Sequence, residues 1–218
     1  MAHEFRRRAD HLLMCRLEGE EKAIIAQVAQ EVSDLLRQDL GLAEESPAVR
    51  RAADSDDPLE RLEAEFAARE ARSPRDSAVQ RLLPDASEDP RIAAEFRRLG
   101  QTALVSEKLE CLGSVMSAID TSGSGAGEVV LDEESAVAWA RALTDMRLVL
   151  ADRLGVQRDG DFETLQMLQD IGERVQEDTA HERPAAQTEG GAATPDVVAA
   201  IYELLSWLQE SLVRALSA

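Results

Sequence analysis

The stretch LDEESAVAWARALTDMRLVLADRLGV, residues 131–156, decides the fold of this chain. Asp132 stands before the stretch's apolar residues as an N-cap, and Gly155 follows them as a C-terminal stop. The apolar side chains recur at the spacing of one helix face: Ala136, Trp139, Ala140, Leu143, Leu150 and Leu154. This pattern predicts a long helix that buries one side against the rest of the molecule.

Short apolar runs predict a small β element beside this helix. Residues 5–8 and 11–17 have the pattern of a hairpin, and residues 129–131 that of a strand directly before the long helix. We expect residues 12–17 to pair with residues 129–131. That pairing would bring Cys15 near the start of the long helix.

Helical periodicity recurs in two segments nearer the N-terminus. The first predicted helix covers residues 20–40. Asp89 and Pro90 are suited to the cap and the first turn of another helix. That helix carries Ile92, Phe96 and Leu99, and it is expected to continue to about residue 116 despite two glycines.

The C-terminal segment has the strongest apolar stripe. Pro195 is expected to open a helix that packs against the long helix and against the helix over residues 20–40. An isolated helix of this length would be marginal in water, so it must dock. Its predicted buried face consists of Val197, Ile201, Leu204, Leu205, Leu208, Leu212 and Leu216.

These elements predict a mainly α fold: a single-domain, multi-helix bundle with a small antiparallel β element. Few aromatic residues, 3%, agree with a core of aliphatic side chains. We divide this one folded domain into an N-terminal hairpin with the first helix, an acidic linker, a helical core, a helix with a flexible linker, and a C-terminal core helix. Their bounds are residues 1–42, 43–77, 78–156, 157–194 and 195–218.

The chain is strongly acidic, with a formal net charge of −19. Binding to nucleic acid depends on cations that neutralise phosphates, so this charge disfavours a direct nucleic-acid partner and an anionic membrane. It favours a protein partner with a basic surface. The acid excess could equally serve solubility alone.

No pattern for catalysis, cofactor binding or metal binding stands out. The three histidines are scattered, and no His/Cys spacing matches a zinc site. The glycine-rich segment over residues 121–127 lacks the phosphate-binding signatures, and a connector is the simpler interpretation. No apolar run is long enough for a membrane span. We therefore expect a non-enzymatic protein without cofactor or metal.

Two cysteines are the only candidates for redox chemistry. Cys15 and Cys111 both lie in apolar surroundings, which favours inert, buried thiols, although Arg16 could lower the pKa of Cys15. So few cysteines fit the reducing cytosol, where we expect the two to remain unbonded. A switch would be feasible if their Cα atoms came within roughly 7 Å.

Three motifs carry a resemblance to a known family. They are RLLPD at residues 81–85, TDMRL at residues 144–148 on the Trp139 helix, and WLQE at residues 207–210. As a set they resemble the actinomycete oxidative stress regulators (AosR), formerly classed as an actinobacterial domain of unknown function. None of the three motifs has a recognised catalytic role in that family.

The resemblance implies a cytoplasmic transcriptional regulator of the response to oxidants. Members that sense oxidants are thought to use paired thiols. No second cysteine lies close to Cys15 along this chain, so a sensing disulfide would need Cys15 and Cys111 to meet in the fold.

The resulting hypothesis is a regulator that acts through protein contact, with a sigma factor or RNA polymerase as the partner. The alternative is a helical adaptor or structural protein without a transcriptional role, and a homodimer stays open. We expect the core and interaction helices to be built around Trp139, Leu143, Leu150, Ile201, Leu205, Trp207, Leu208 and Leu212.

Overall fold

The computed structural model describes residues 3–42, 71–123, 125–155 and 195–218. Most of the segments 43–77 and 157–194, including the helix predicted in the second, lie outside these residues. The described elements, in chain order, are β1 (Arg6–Arg7), β2 (Leu13–Leu17), α1 (Gly19–Asp39), α2 (Ser77–Leu82), α3 (Pro90–Thr121), β3 (Gly127–Leu131), α4 (Glu133–Arg153) and α5 (Pro195–Ser217). The fold is mainly α with a small antiparallel sheet, as the sequence predicted.

Side-chain hydrogen bonds within one turn cap the first turns of α1, α3 and α4. The Asp132 carboxylate accepts a hydrogen bond from the backbone N–H of Ser135 at 2.8 Å, and the Asp89 carboxylate accepts one from Arg91 at 2.9 Å. Both predicted caps are thus confirmed. At α1, the side chain of Glu21 accepts from the backbone N–H of Glu18 as half of a capping box, which fixes the exit from β2.

The sheet joins distant parts of the chain. Strand β2 lies in the middle and pairs antiparallel with both β1 and β3. Cys15 lies opposite Val129, and Leu13 lies opposite Leu131. The predicted hairpin and the predicted pairing of residues 12–17 with residues 129–131 are both confirmed.

Helix α4 lies at the centre of the bundle and contacts all four other described helices. Trp139 is fully buried and meets the ring of Phe5 edge to face, with centroids 6.0 Å apart. The predicted apolar stripe was too narrow, because a helix packed on several sides also buries Met146 and Val149. Leu143 is fully buried, whereas Leu150 is only partly buried against the core.

Helix α5 packs chiefly on α4, β1 and β2, while α1 packs mainly on α3 and α4. The predicted docking against α4 is therefore confirmed, and α1 is not among its main partners. Val197, predicted to be buried, is half-exposed because it precedes the part of the helix that contacts the core. Of the other predicted residues, Leu205, Leu208 and Leu212 are fully buried, and Ile201, Leu204, Trp207 and Leu216 are partly buried.

The N-terminal half of α3 departs from the simple core pattern. The helix continues through both glycines to Thr121, as expected. However, Ile92, Phe96 and Leu99 are exposed, so the helix face that these three side chains form is not part of the core. None of the helices in the described ranges combines the length and the apolarity that crossing a membrane requires.

Candidate functional site

Two of the three sequence motifs meet between α4 and α5. Arg147 donates one hydrogen bond to the side-chain oxygen of Gln209 at 2.5 Å and another to the hydroxyl of Tyr202 at 3.2 Å. The amide nitrogen of Gln209 donates to the hydroxyl of Thr144 at 2.6 Å. The Arg147 guanidinium also lies 5.1 Å from the centroid of the Tyr202 ring. This network fixes how the two helices pack.

The RLLPD motif fixes a second contact on α4. Arg81 forms an ion pair with Asp152 at 3.0 Å, while Leu82 and Leu83 are buried in the core. Asp85 pairs with Arg97 of α3. All three motifs therefore contribute residues that position helices around α4.

The first candidate redox residue, Cys15, is buried in the sheet. Burial raises the pKa of its thiol to about 12, and the nearby positive charge of Lys22 only partly opposes this effect. At neutral pH the group is a neutral thiol, which is the unreactive form.

The second candidate, Cys111, lies on α3 beside α4. Its pKa is also raised, chiefly by burial, while the charge of Arg141 acts in the opposite direction. Both cysteines are free thiols. The charged groups that influence Cys15 and Cys111 belong to different parts of the fold.

Thiol reactivity should differ between the two cysteines. With a pKa near 12, the thiolate fraction of Cys15 near neutral pH is on the order of 1,000-fold or more below that of an ordinary cysteine. We expect Ellman's reagent to label Cys15 only on unfolding. Cys111 should react slowly but measurably in the folded protein, because it lines a surface groove.

Single Cys15→Ser and Cys111→Ser variants separate the two rates in a stopped-flow or spectrophotometric assay. A Cys15 thiol that reacts in the native protein as fast as in denaturant would contradict the burial argument.

A groove runs between α3 and α4 above Cys111. It consists of two adjoining cavities of about 260 Å³ and about 710 Å³, which share Glu107, Cys111 and Arg141. The smaller cavity is also lined by Leu104, Lys108, Thr144 and Asp145, and the larger by Glu110, Glu133, Glu134, Val137 and Ala138. We refer to the surface formed by these residues as the α3–α4 groove.

The charges of the groove are unbalanced. Arg141 pairs with Glu107, and Lys108 pairs with Asp145 at 2.7 Å. Within the described parts of the chain, no hydrogen bond or ion pair reaches the side chains of Glu110, Glu133 and Glu134. The groove therefore has an excess of carboxylates, and its cations are already paired.

The Lys108–Asp145 pair supports the floor of the groove. Asp145 is buried, and burial raises its pKa, while the hydrogen bond from Lys108 lowers it. In a Lys108→Met variant, the carboxylate would lose this compensation, and we expect the free energy of unfolding near neutral pH to fall by about 2–4 kcal/mol.

This loss should depend on pH. The variant's folded-state pKa for Asp145 would lie further above the unfolded value of about 3.9. The destabilisation is then largest above the folded-state pKa and shrinks as the pH falls toward the unfolded value. Urea titrations of the variant and of Lys108→Met with Asp145→Leu measure it. A loss independent of pH in the single variant would be inconsistent with a buried carboxylate.

Sequence reasoning missed Lys22, which is only 2% exposed. Its ammonium group donates to the backbone carbonyls of Ser122, Gly123 and Gly125 at 3.2, 3.2 and 3.0 Å. These carbonyls follow the C-terminal end of α3, where a positive charge also interacts favourably with the negative end of the helix dipole. Lys22 thus anchors the connector between α3 and β3. No sequence signal distinguished it from an exposed lysine.

The described ranges contain no cluster of His, Cys, Asp and Glu suited to a metal ion. A family model described as a domain of unknown function (DUF2017) matches residues 2–216. No curated protein and no solved structure matches the chain.

Proposed function

This chain belongs to the DUF2017 family of unknown function, and we propose that it is a non-enzymatic, cytoplasmic regulator of transcription that acts by binding another protein. The observation that carries the proposal is the α3–α4 groove, which combines exposed apolar side chains with unpaired carboxylates. A surface of this kind is suited to a partner that presents basic residues.

The proposed partner is a sigma factor or RNA polymerase. Both belong to the transcription machinery and bind DNA, which requires basic surfaces. The net charge of −19 gives this chain the complementary sign. Long-range attraction between opposite charges would also accelerate association.

The resemblance to the actinomycete oxidative stress regulators supports a role in the response to oxidants. Two residues of the motifs that carry this resemblance, Arg147 and Gln209, are hydrogen-bonded to each other. Cys111 is the proposed modulating thiol: it is buried at 7% exposure but lines the groove, whereas Cys15 is 1% exposed within the sheet. Oxidation of the Cys111 thiol by hydrogen peroxide, which is itself reduced to water, would give a sulfenic acid and add a polar group to the contact surface.

Affinity purification from reduced and peroxide-treated cells tests the proposal. We expect a sigma factor or RNA polymerase subunits to co-purify with the chain, in an amount that changes with oxidation. Transcript profiling of a deletion strain after peroxide treatment gives the second measurement. An unchanged transcript profile together with a non-transcriptional partner would favour the alternative, a helical adaptor.

The isolated protein should bind DNA poorly. At roughly physiological salt we expect a dissociation constant no tighter than about 10 µM, because the net charge repels phosphates and the sequence has no recognisable basic reading helix. Fluorescence anisotropy with labelled duplexes measures it. Sequence-specific binding below about 1 µM by the protein alone would refute the protein-contact mechanism.

A further inference from the structure

We propose that the α3–α4 groove binds a partner segment that places an aliphatic side chain in the smaller cavity and lysine or arginine residues along the rim of the larger one. This inference rests on the proposed function and gives it a surface and a recognition chemistry. The occupant is a basic, amphipathic peptide segment of another protein.

The apolar part of the argument concerns the groove floor. Leu104 of α3 is 51% exposed and lines the smaller cavity, and Val137 of α4 is 40% exposed and lines the larger one; Cys111 lines both. Large apolar side chains exposed together in a concave surface are typical of a binding site. A volume of about 260 Å³ accommodates an aliphatic side chain between Leu104 and Thr144.

The electrostatic part concerns the rim. Glu133 and Glu134 belong to the first turn of α4, and Glu110 faces them from α3. Within the described residues these three carboxylates have no cationic partner. Arg141, the cation shared by the two cavities, already pairs with Glu107. The rim therefore attracts cations and repels phosphates and carboxylates.

The two parts together select the class of ligand. The unpaired carboxylates would repel an anionic metabolite or nucleic acid. An uncharged apolar ligand would leave these carboxylates without a positive partner. A segment with an apolar anchor and flanking cations satisfies both parts, in the manner of an amphipathic helix that binds in a groove. Its side chains would cover Cys111.

A fluorescent leucine–lysine peptide of helical design is a suitable probe. We expect it to bind the full chain at roughly 150 mM salt and to slow the reaction of Cys111 with Ellman's reagent in a Cys15→Ser background. A leucine–glutamate peptide should do neither. Protection of Cys111 locates the bound peptide, which anisotropy alone does not.

Charge reversal separates a specific site from general attraction. The variant Glu110→Lys, Glu133→Lys, Glu134→Lys should weaken binding at least about 10-fold and abolish protection. The matched control Glu20→Lys, Glu88→Lys, Asp120→Lys changes three exposed carboxylates elsewhere, with the same change in net charge. This control variant should weaken peptide binding by less than about threefold.

An equal loss of peptide affinity in the two triple variants, or no protection of Cys111 by the bound peptide, would overturn the groove as the binding site. A dimer that forms with rising concentration and competes with the peptide would do the same, by identifying a second copy as the occupant. If a sigma factor co-purifies equally with both triple variants, the groove inference fails while the proposed function stands. If the peptide binds at the groove but no transcription protein co-purifies, the proposed function fails alone.

Discussion

Removal of residues 195–218 is expected to unfold the domain or to leave it aggregating. Leu205, Leu208 and Leu212 are fully buried against the core, and each contributes about 1.5–3 kcal/mol by burial. Together they rival the whole net stability of a typical domain, about 5–15 kcal/mol. The truncated chain should show no cooperative transition in circular dichroism and should bind a dye for exposed apolar surface.

A milder pair of substitutions tests the same packing in the full chain. Leu208→Ala creates a cavity in the core and should lower the free energy of unfolding by about 2–5 kcal/mol. Val213→Ala, on the half-exposed side of the same helix, should cost less than about 0.5 kcal/mol. Equal effects of the two, or a soluble truncated chain with an unchanged melting temperature, would show that α5 is not part of the core.

Replacement of Lys22 by methionine is expected to destabilise the fold about as much as Lys108→Met. The variant keeps most of the apolar stem but leaves the three carbonyls of Ser122, Gly123 and Gly125 without their shared donor. Hydrogen bonds from a charged group contribute about 1.5–3 kcal/mol each, and relaxation of the connector would recover part of this. We expect the free energy of unfolding, measured by urea titration, to fall by about 2–4 kcal/mol.

A pair of glycine substitutions gives an independent check on this site. A Cβ atom at Gly127 would lie 2.8 Å from the carbonyl oxygen of Ser122 and 2.9 Å from the Lys22 nitrogen. Gly127→Ala should therefore destabilise the protein. Gly113→Ala meets nothing within 4 Å on a helix and should be neutral or stabilising by up to about 1 kcal/mol. A tolerated Gly127→Ala together with a tolerated Lys22→Met would show that the connector is not held in this way.

Local signals explain why so much of the fold could be predicted. The cap at Asp132 and the stop at Gly155 operate within one turn, so their sequence pattern was sufficient. The strand pairing was also predictable, because two short apolar runs each directly preceded a helix and needed a partner. The motifs carried useful information too, since Arg147 and Gln209 hold adjacent helices together.

Features that depend on the packing of distant segments could not be predicted. The pattern of α4 suggested one buried face, but a central helix buries Asp145 and Met146 as well. Lys22 has the same sequence context as an exposed lysine, and only the connector folded over it makes it a buried donor. The α3–α4 groove arises where the two helices lie side by side, and the positions of Glu133 and Glu134 along the chain indicate only favourable charges in the first turn of α4.

The sheet also has a consequence for how the protein folds during synthesis. Leu17 pairs with Gly127, and the Arg7 side chain donates hydrogen bonds to the carbonyls of Ala215 and Leu216. Both contacts close very long loops, whose entropic cost comes before any stabilisation from the contacts. Until β3 and α4 leave the ribosome, β2 and the apolar face of α1 have no complete partner surface, and α4 lacks its own until α5 follows. The nascent chain therefore exposes apolar surface until residues 195–218 have emerged, and it is expected to be a client of chaperones during that interval.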